Sequence, residues 1–119
     1  TMTIHLYGIP NCDTVKKARA WLEAQGVDHA FHDYKKEGAD PARLEGWIAA
    51  AGLDAVLNRR GITYRRLCDA DRSEIEAGGA VAVMARQPSL IKRPVAEHPG
   101  GLLVGFTESE WAKVLTGAA

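Results

Sequence analysis

Hydrophobic and polar positions along the chain change period several times, and each change marks an element. Ile4–Gly8 alternates, with Ile4 and Leu6 facing one way and His5 and Tyr7 the other, which predicts a short strand. After a turn at Ile9, Pro10 and Asn11 the period becomes helical. Over residues 13–25, Val15, Ala18, Trp21 and Leu22 share one face, and Gly26 stops the helix. Residues 27–34 read as a second strand. Strand, helix and strand within about 30 residues predict a βαβ unit with parallel strands.

The middle of the chain reads as helical. Asp40 before Pro41 is an N-cap followed by proline at the first helical position. Leu44, Trp47, Ile48 and Ala51 then recur at helical spacing, and Gly52 ends the run. A brief helical piece is expected over residues 54–58, leading into RRGITYRRL. Asp71 and Glu74 have capping-box spacing for a short helix ending at Gly78 and Gly79. Ala80–Arg86 forms another, stopped at Pro88. The tail returns to strand period: Val95–His98, a turn over residues 99–101, and residues 102–106 read as a hairpin. Thr107 and Glu110 have capping-box spacing for a last helix facing inward through Trp111, Val114 and Leu115. The expected class is therefore α/β: βαβ, helices, then ββα. That is the order of a thioredoxin-like fold with an all-helical insertion at about 40–88, in one domain, and the pattern alone admits several other α/β layouts.

Composition narrows the function classes. The chain has 119 residues, 46% hydrophobic and 25% charged, with 15 basic and 15 acidic side chains. That is ordinary for a globular domain. A zero formal charge provides no global field for nucleic acid or anionic membrane, so neither is an expected direct partner. No apolar run approaches the roughly 18 residues of a spanning helix, and no export signal is visible. Two cysteines 56 positions apart do not make a disulfide scaffold. The expected compartment is the reducing cytoplasm, where a distinctive cysteine is catalytic or redox-active more often than structural.

Cys12 is that cysteine. It lies at the junction of the first strand and first helix, where unpaired amides and the helix dipole favour thiolate. Lys16 and Lys17 add positive charge and Asp13 opposes it. Position 15 is valine, which excludes a C-x-x-C dithiol; the thiol must work alone or with a distant partner such as Cys68. Arg93-Pro94 precedes the third strand, where thioredoxin-type folds place a cis proline beside the nucleophile. Arg59, Arg60, Arg65 and Arg66 form the densest basic stretch, suited to carboxylates and oxyanions. The four histidines have no metal-ligand spacing, and no metal site is expected.

The segments LYGIPNCDTVKKARAWL, FHDYKKEG, VLNRRGITYRRL, PSLIKRPV and LLVGFTESEW together resemble the ArsC-like family. That family comprises glutaredoxin-linked arsenate reductases, Spx transcription regulators and YffB proteins, and the YffB branch is the most similar. The resemblance implies a nucleophilic Cys12, anion-binding Arg59 and Arg93, cis Pro94, and an anion loop lined by Asn11 and the amides of Asp13 and Thr14. It also implies a monothiol oxidoreductase in which Cys12 forms a mixed disulfide or an oxyanion adduct. No tightly bound cofactor is expected. Glutathione is the expected co-substrate, glutaredoxin a further partner, and the substrate a small anion or thiol; the chain is expected to be a monomer. Two departures bear on the alternatives that the resemblance also allows, a glutaredoxin-coupled arsenate reductase and a non-catalytic Spx-like regulator that binds RNA polymerase. Arsenate reductases carry an arginine in the hairpin, and residues 95–106 contain none. Spx-like regulators bind RNA polymerase under control of a C-x-x-C switch, which Val15 breaks.

Overall fold

The computed structural model describes residues 4–116. The chain forms two compact units. The first runs to Asp33 and resumes at Arg93; the second is Tyr34–Lys92.

The first unit holds four strands, β1 (Ile4–Gly8), β2 (His29–Asp33), β3 (Val95–His98) and β4 (Gly101–Val104), ordered β2-β1-β3-β4. β1 runs parallel to β2, β3 runs antiparallel to β1, and β4 antiparallel to β3. Helix α1 (Asp13–Ala24) makes the crossover from β1 to β2. This is the thioredoxin-like arrangement, one of the α/β layouts that the periodicity admits and the one that the family resemblance implies. One sheet face contributes Ile4, Leu6, Ala96 and Leu103 to a core completed by Ala18, Trp21 and Leu22 of α1 and by Trp111. The opposite face bears a polar ladder: His5 Nδ1 lies 3.0 Å from His32 Nε2, the Tyr7 ring stacks on His32, and Tyr7 donates its hydroxyl to Glu97.

Short helices build the second unit: α2 (Tyr34–Glu37), α3 (Pro41–Ala51), α4 (Leu53–Val56), α5 (Ile62–Arg65), α6 (Asp69–Glu74) and α7 (Ala80–Arg86). The Asp40 carboxylate accepts the Ala42 amide, so the expected cap of α3 is made. A π-type turn, Ile75–Gly79, continues α6, and Gly78 at φ +96° bends the chain there into α7. The last helix, α8 (Glu108–Trp111), belongs to the first unit.

Several local expectations are corrected. β2 is shorter than residues 27–34, because Tyr34, 2% exposed, turns into α2 and donates its hydroxyl to the Ile91 carbonyl. RRGITYRRL contains a helix, α5, that its charge pattern hides. Asp71 and Glu74 form no capping box: α6 begins at Asp69, and both carboxylates accept from Arg86, at 3.1 and 3.0 Å. Thr107 caps α8 without a side-chain hydrogen bond. β4 ends at Val104 rather than continuing to 106, since Phe106 leaves the sheet to meet Trp111 edge-on. Val114 is 46% exposed instead of inward-facing, because the chain widens into a π-type turn, Ala112–Thr116.

Candidate active site

The thiol is placed by a strand end and a helix start that approach very closely. A Cβ on Gly8 would stand 2.7 Å from Val15 Cγ2, so only glycine lets the end of β1 lie against the first turn of α1. The intervening turn is closed by the Cys12 amide donating to the Ile9 carbonyl, and the Lys16 amide donates to the Cys12 carbonyl as α1 begins. Cys12 is thereby the N-cap residue, with extended backbone and a half-buried side chain.

Burial pushes the Cys12 thiol up, but the opposing effects are larger in sum and its pKa is lowered. The backbone amides of Val15 and Thr14 act first, followed by the charge and hydrogen-bonding capacity of the Arg93 guanidinium. Sγ makes no regular capping hydrogen bond; the amides act through their positive ends at the helix start, where negative charge is favoured. Lys16, Lys17 and Asp13 are not among the groups that move it, so the effective cation comes from the far end of the chain. Of the two expected loop amides, Asp13 and Thr14, Thr14 acts on the thiol, and Val15, expected on the buried helix face, supplies the other.

Arg93 reaches this place because β3 pairs with β1: Val95 lies opposite Tyr7 and Ala96 opposite Leu6. The Arg93–Pro94 peptide bond is cis, as expected, and the Pro94 carbonyl accepts the Gly105 amide at 2.8 Å. Cys12, Arg93 and Pro94 all belong to the first unit. Asn11 is exposed beside Cys12 in the chain.

Arg59 belongs to the second unit, and its guanidinium is already engaged. Nε and one terminal nitrogen donate to Asp54 Oδ1 at 3.3 and 3.2 Å, and the other terminal nitrogen donates to the Tyr64 hydroxyl at 3.2 Å. The Arg59 and Arg72 guanidinium carbons lie 5.7 and 5.4 Å from the Tyr64 ring centroid. Lys92, Asp54 and Tyr64 were not singled out by the sequence reading, although Lys92 precedes Arg93 directly. Cys68 is exposed and free. Among the described residues no group of three or more His, Cys, Asp or Glu side chains is placed to hold a metal ion, and no helix is long and apolar enough to cross a membrane.

A parallel βα start with a thiol of lowered pKa at the helix N-terminus, and an arginine and cis proline entering an antiparallel hairpin, define a thioredoxin-like thiol protein. The ArsC family model matches residues 7–114, and the chain belongs to that family. Among solved structures, a YffB protein is similar at 46% identity and a TM-score of 0.89, covering 94% of this chain and 98% of its own. An arsenate reductase-related protein from Brucella melitensis shares 44% identity at a TM-score of 0.75, with coverage of 99% and 98%. An uncharacterised protein of Haemophilus influenzae is 40% identical over 108 residues, 91% of this chain and 95% of its own length. The family is one of thiol oxidoreductases and their relatives.

Proposed function

We propose that the protein is a glutathione-dependent monothiol oxidoreductase acting in the cytoplasm, with Cys12 as nucleophile. The observation that carries this reading is the position of Cys12 as N-cap of α1 with the Arg93 guanidinium beside it, an arrangement that lowers the thiol pKa. The Cys12 thiolate attacks one sulfur of a disulfide such as oxidised glutathione. The disulfide S–S bond breaks, the Cys12–glutathione bond forms, and the second glutathione leaves as thiolate and takes a proton from water. Valine at position 15 leaves no neighbouring thiol to attack this adduct. A second glutathione thiolate, or glutaredoxin, therefore attacks the glutathione sulfur, regenerating the Cys12 thiolate and releasing a disulfide. Arg93 supports the thiolate and offers its guanidinium to a glutathione carboxylate.

Mass spectrometry after exposure to oxidised glutathione tests the proposal. One glutathionyl group is expected, on Cys12, reversed by reduced glutathione and absent in Cys12→Ser. An intramolecular Cys12–Cys68 disulfide as the main product, or first modification at Cys68, overturns it. Arsenate reduction is a second reading, favoured by the similarity to the Brucella protein. Without an arginine in residues 95–106, arsenate turnover coupled to glutathione and glutaredoxin is expected to be weak or absent.

A further inference from the structure

The polar ladder on the sheet of the first unit is a cluster that the thiol chemistry leaves unused. In the strand registers His5 stands opposite Ala30 and Glu97, and Tyr7 stands opposite His32 and Val95, so these side chains share one face. His5 and His32 lie diagonally across the parallel pair of β1 and β2. There His5 Nδ1 comes within 3.0 Å of His32 Nε2, with the ring centroids 5.2 Å apart. The two residues are 27 positions apart, so no linear spacing reveals the pair. The His32 ring is held in place: Tyr7 stacks on it at 4.6 Å, and Tyr7, 5% exposed, is tied to Glu97 through its hydroxyl. His5 is exposed, and its ring is free to turn.

Two ring nitrogens this close share one proton, since one must donate and the other accept. The same two lone pairs can hold a metal ion in the proton's place. At metal–nitrogen distances of about 2.0–2.1 Å, two ligand nitrogens stand roughly 3.3 Å apart in a tetrahedral site. In a square-planar site they stand roughly 2.9 Å apart. The observed 3.0 Å lies between these values, so a turn of the His5 ring suffices to bring both lone pairs onto one ion. The bridging proton then occupies the other nitrogen of its own imidazole, and both ligands stay neutral with no net proton lost. Of the described strand residues on this face only Glu97 carries a formal charge, and it is negative, so no strand cation opposes a bound ion. Imidazole nitrogens suit zinc, copper and nickel, whereas magnesium and calcium take oxygen donors.

We propose that His5 and His32 form a surface chelate for one divalent transition-metal ion of the nickel, copper and zinc class, with Glu97 as a neighbouring negative charge and water completing the coordination. A two-nitrogen chelate accords with the finding that no three metal-ligating side chains converge among the described residues. Its ligands come from two strands, so it exists only where β1 and β2 are paired. The ion therefore binds the folded chain and stabilises it by mass action. Nothing in this proposal rests on the glutathione reading.

The test uses the full chain carrying Cys12→Ser and Cys68→Ser, which removes both thiols as competing ligands. Nickel(II) and zinc(II) chlorides are titrated separately by calorimetry, with magnesium chloride as the control. Saturable binding of one nickel or zinc ion per chain is expected, and none of magnesium. Zinc should shift the ring resonances of His5 and His32 together, and the thermal midpoint should rise with metal concentration. Losing the supporting partner of a metal ligand costs roughly 10–100-fold in affinity, so losing a ligand should cost at least as much. His5→Ala and His32→Gln should therefore each weaken binding tenfold or more and abolish the thermal shift. His29→Gln and His98→Gln should leave both unchanged, and circular dichroism checks that all four variants fold. No saturable binding below millimolar metal overturns the proposal. So does binding that survives both His5→Ala and His32→Gln, or an equal loss in His29→Gln or His98→Gln.

Discussion

The two units place cations by opposite means. In the first, Arg93 acts on Cys12 because β3 lies against β1, and that pairing rests on a core of Ile4, Leu6, Leu22 and Trp111, each fully buried. In the second, Arg59 is positioned by neighbours five residues away in sequence, Asp54 and Tyr64, on an exposed surface. Chemistry anchored by a core inherits the rigidity of close packing. Charge arranged by local, solvated pairs is held weakly, since such pairs contribute roughly 0–1 kcal/mol. Substitutions in the supports of these two cations should therefore register on different scales.

The largest effect is expected at Trp111, whose ring meets Phe106 and Trp21 edge-on and whose indole N–H donates to the Gly105 carbonyl at 3.0 Å. Trp111→Ala should cost about 3–5 kcal/mol in denaturant unfolding; a loss under 1 kcal/mol would mean that this core does not carry the first unit. Arg93→Ala should leave stability nearly unchanged and slow iodoacetamide alkylation of Cys12 at neutral pH by about tenfold, through a rise in thiol pKa. The sign follows from the guanidinium's stabilisation of the thiolate: the wild-type rate rises with pH through a lower midpoint than the variant's. Identical pH profiles would remove Arg93 from the activation. In the second unit, Asp40→Ala should cost about 1 kcal/mol by releasing the Ala42 amide. Asp54→Asn should cost less still, and a large loss there would break the contrast between the units.

The smallest effect belongs to His98. Burial holds its imidazole below the usual histidine pKa, and its Nδ1 accepts the Gly100 amide at 3.1 Å. The folded state thus binds the proton less readily than the unfolded chain, so this group penalises folding as pH falls below about 6.5. His98→Gln should flatten that part of the stability profile slightly; a steeper acid loss in the variant would reverse the assignment.

The fold was largely legible because its main signals are periodic. Val15, Ala18, Trp21 and Leu22 mark α1, and alternation marks β1. The thiol was legible too, since a cysteine between strand and helix has a defined electrostatic setting. Signals that a side chain can answer in more than one way were not legible. Asp71 and Glu74 have the spacing of a cap, yet Arg86 offers them a charged partner 15 and 12 residues away. Arg59 and Arg60 are adjacent in sequence and differ only in what reaches them: Asp54 and Tyr64 fill one fork and leave the other. Such outcomes depend on three-dimensional neighbours that no local pattern encodes.

The strand order has a consequence in time. β1 meets β2 after one short crossover, while its other edge waits for β3, with Tyr7 and Glu97 standing 90 positions apart. At a synthesis rate of about 5–20 residues per second, several seconds separate the two pairings. During that interval the β1 edge that β3 will occupy is unpaired, a row of open amides and carbonyls that another strand can pair with. Of the groups that lower the Cys12 thiol pKa, Thr14 and Val15 are close in sequence and are synthesised with it, whereas Arg93 comes 81 residues later. The last of the groups that lower the thiol pKa therefore arrives with the segment that leads into β3.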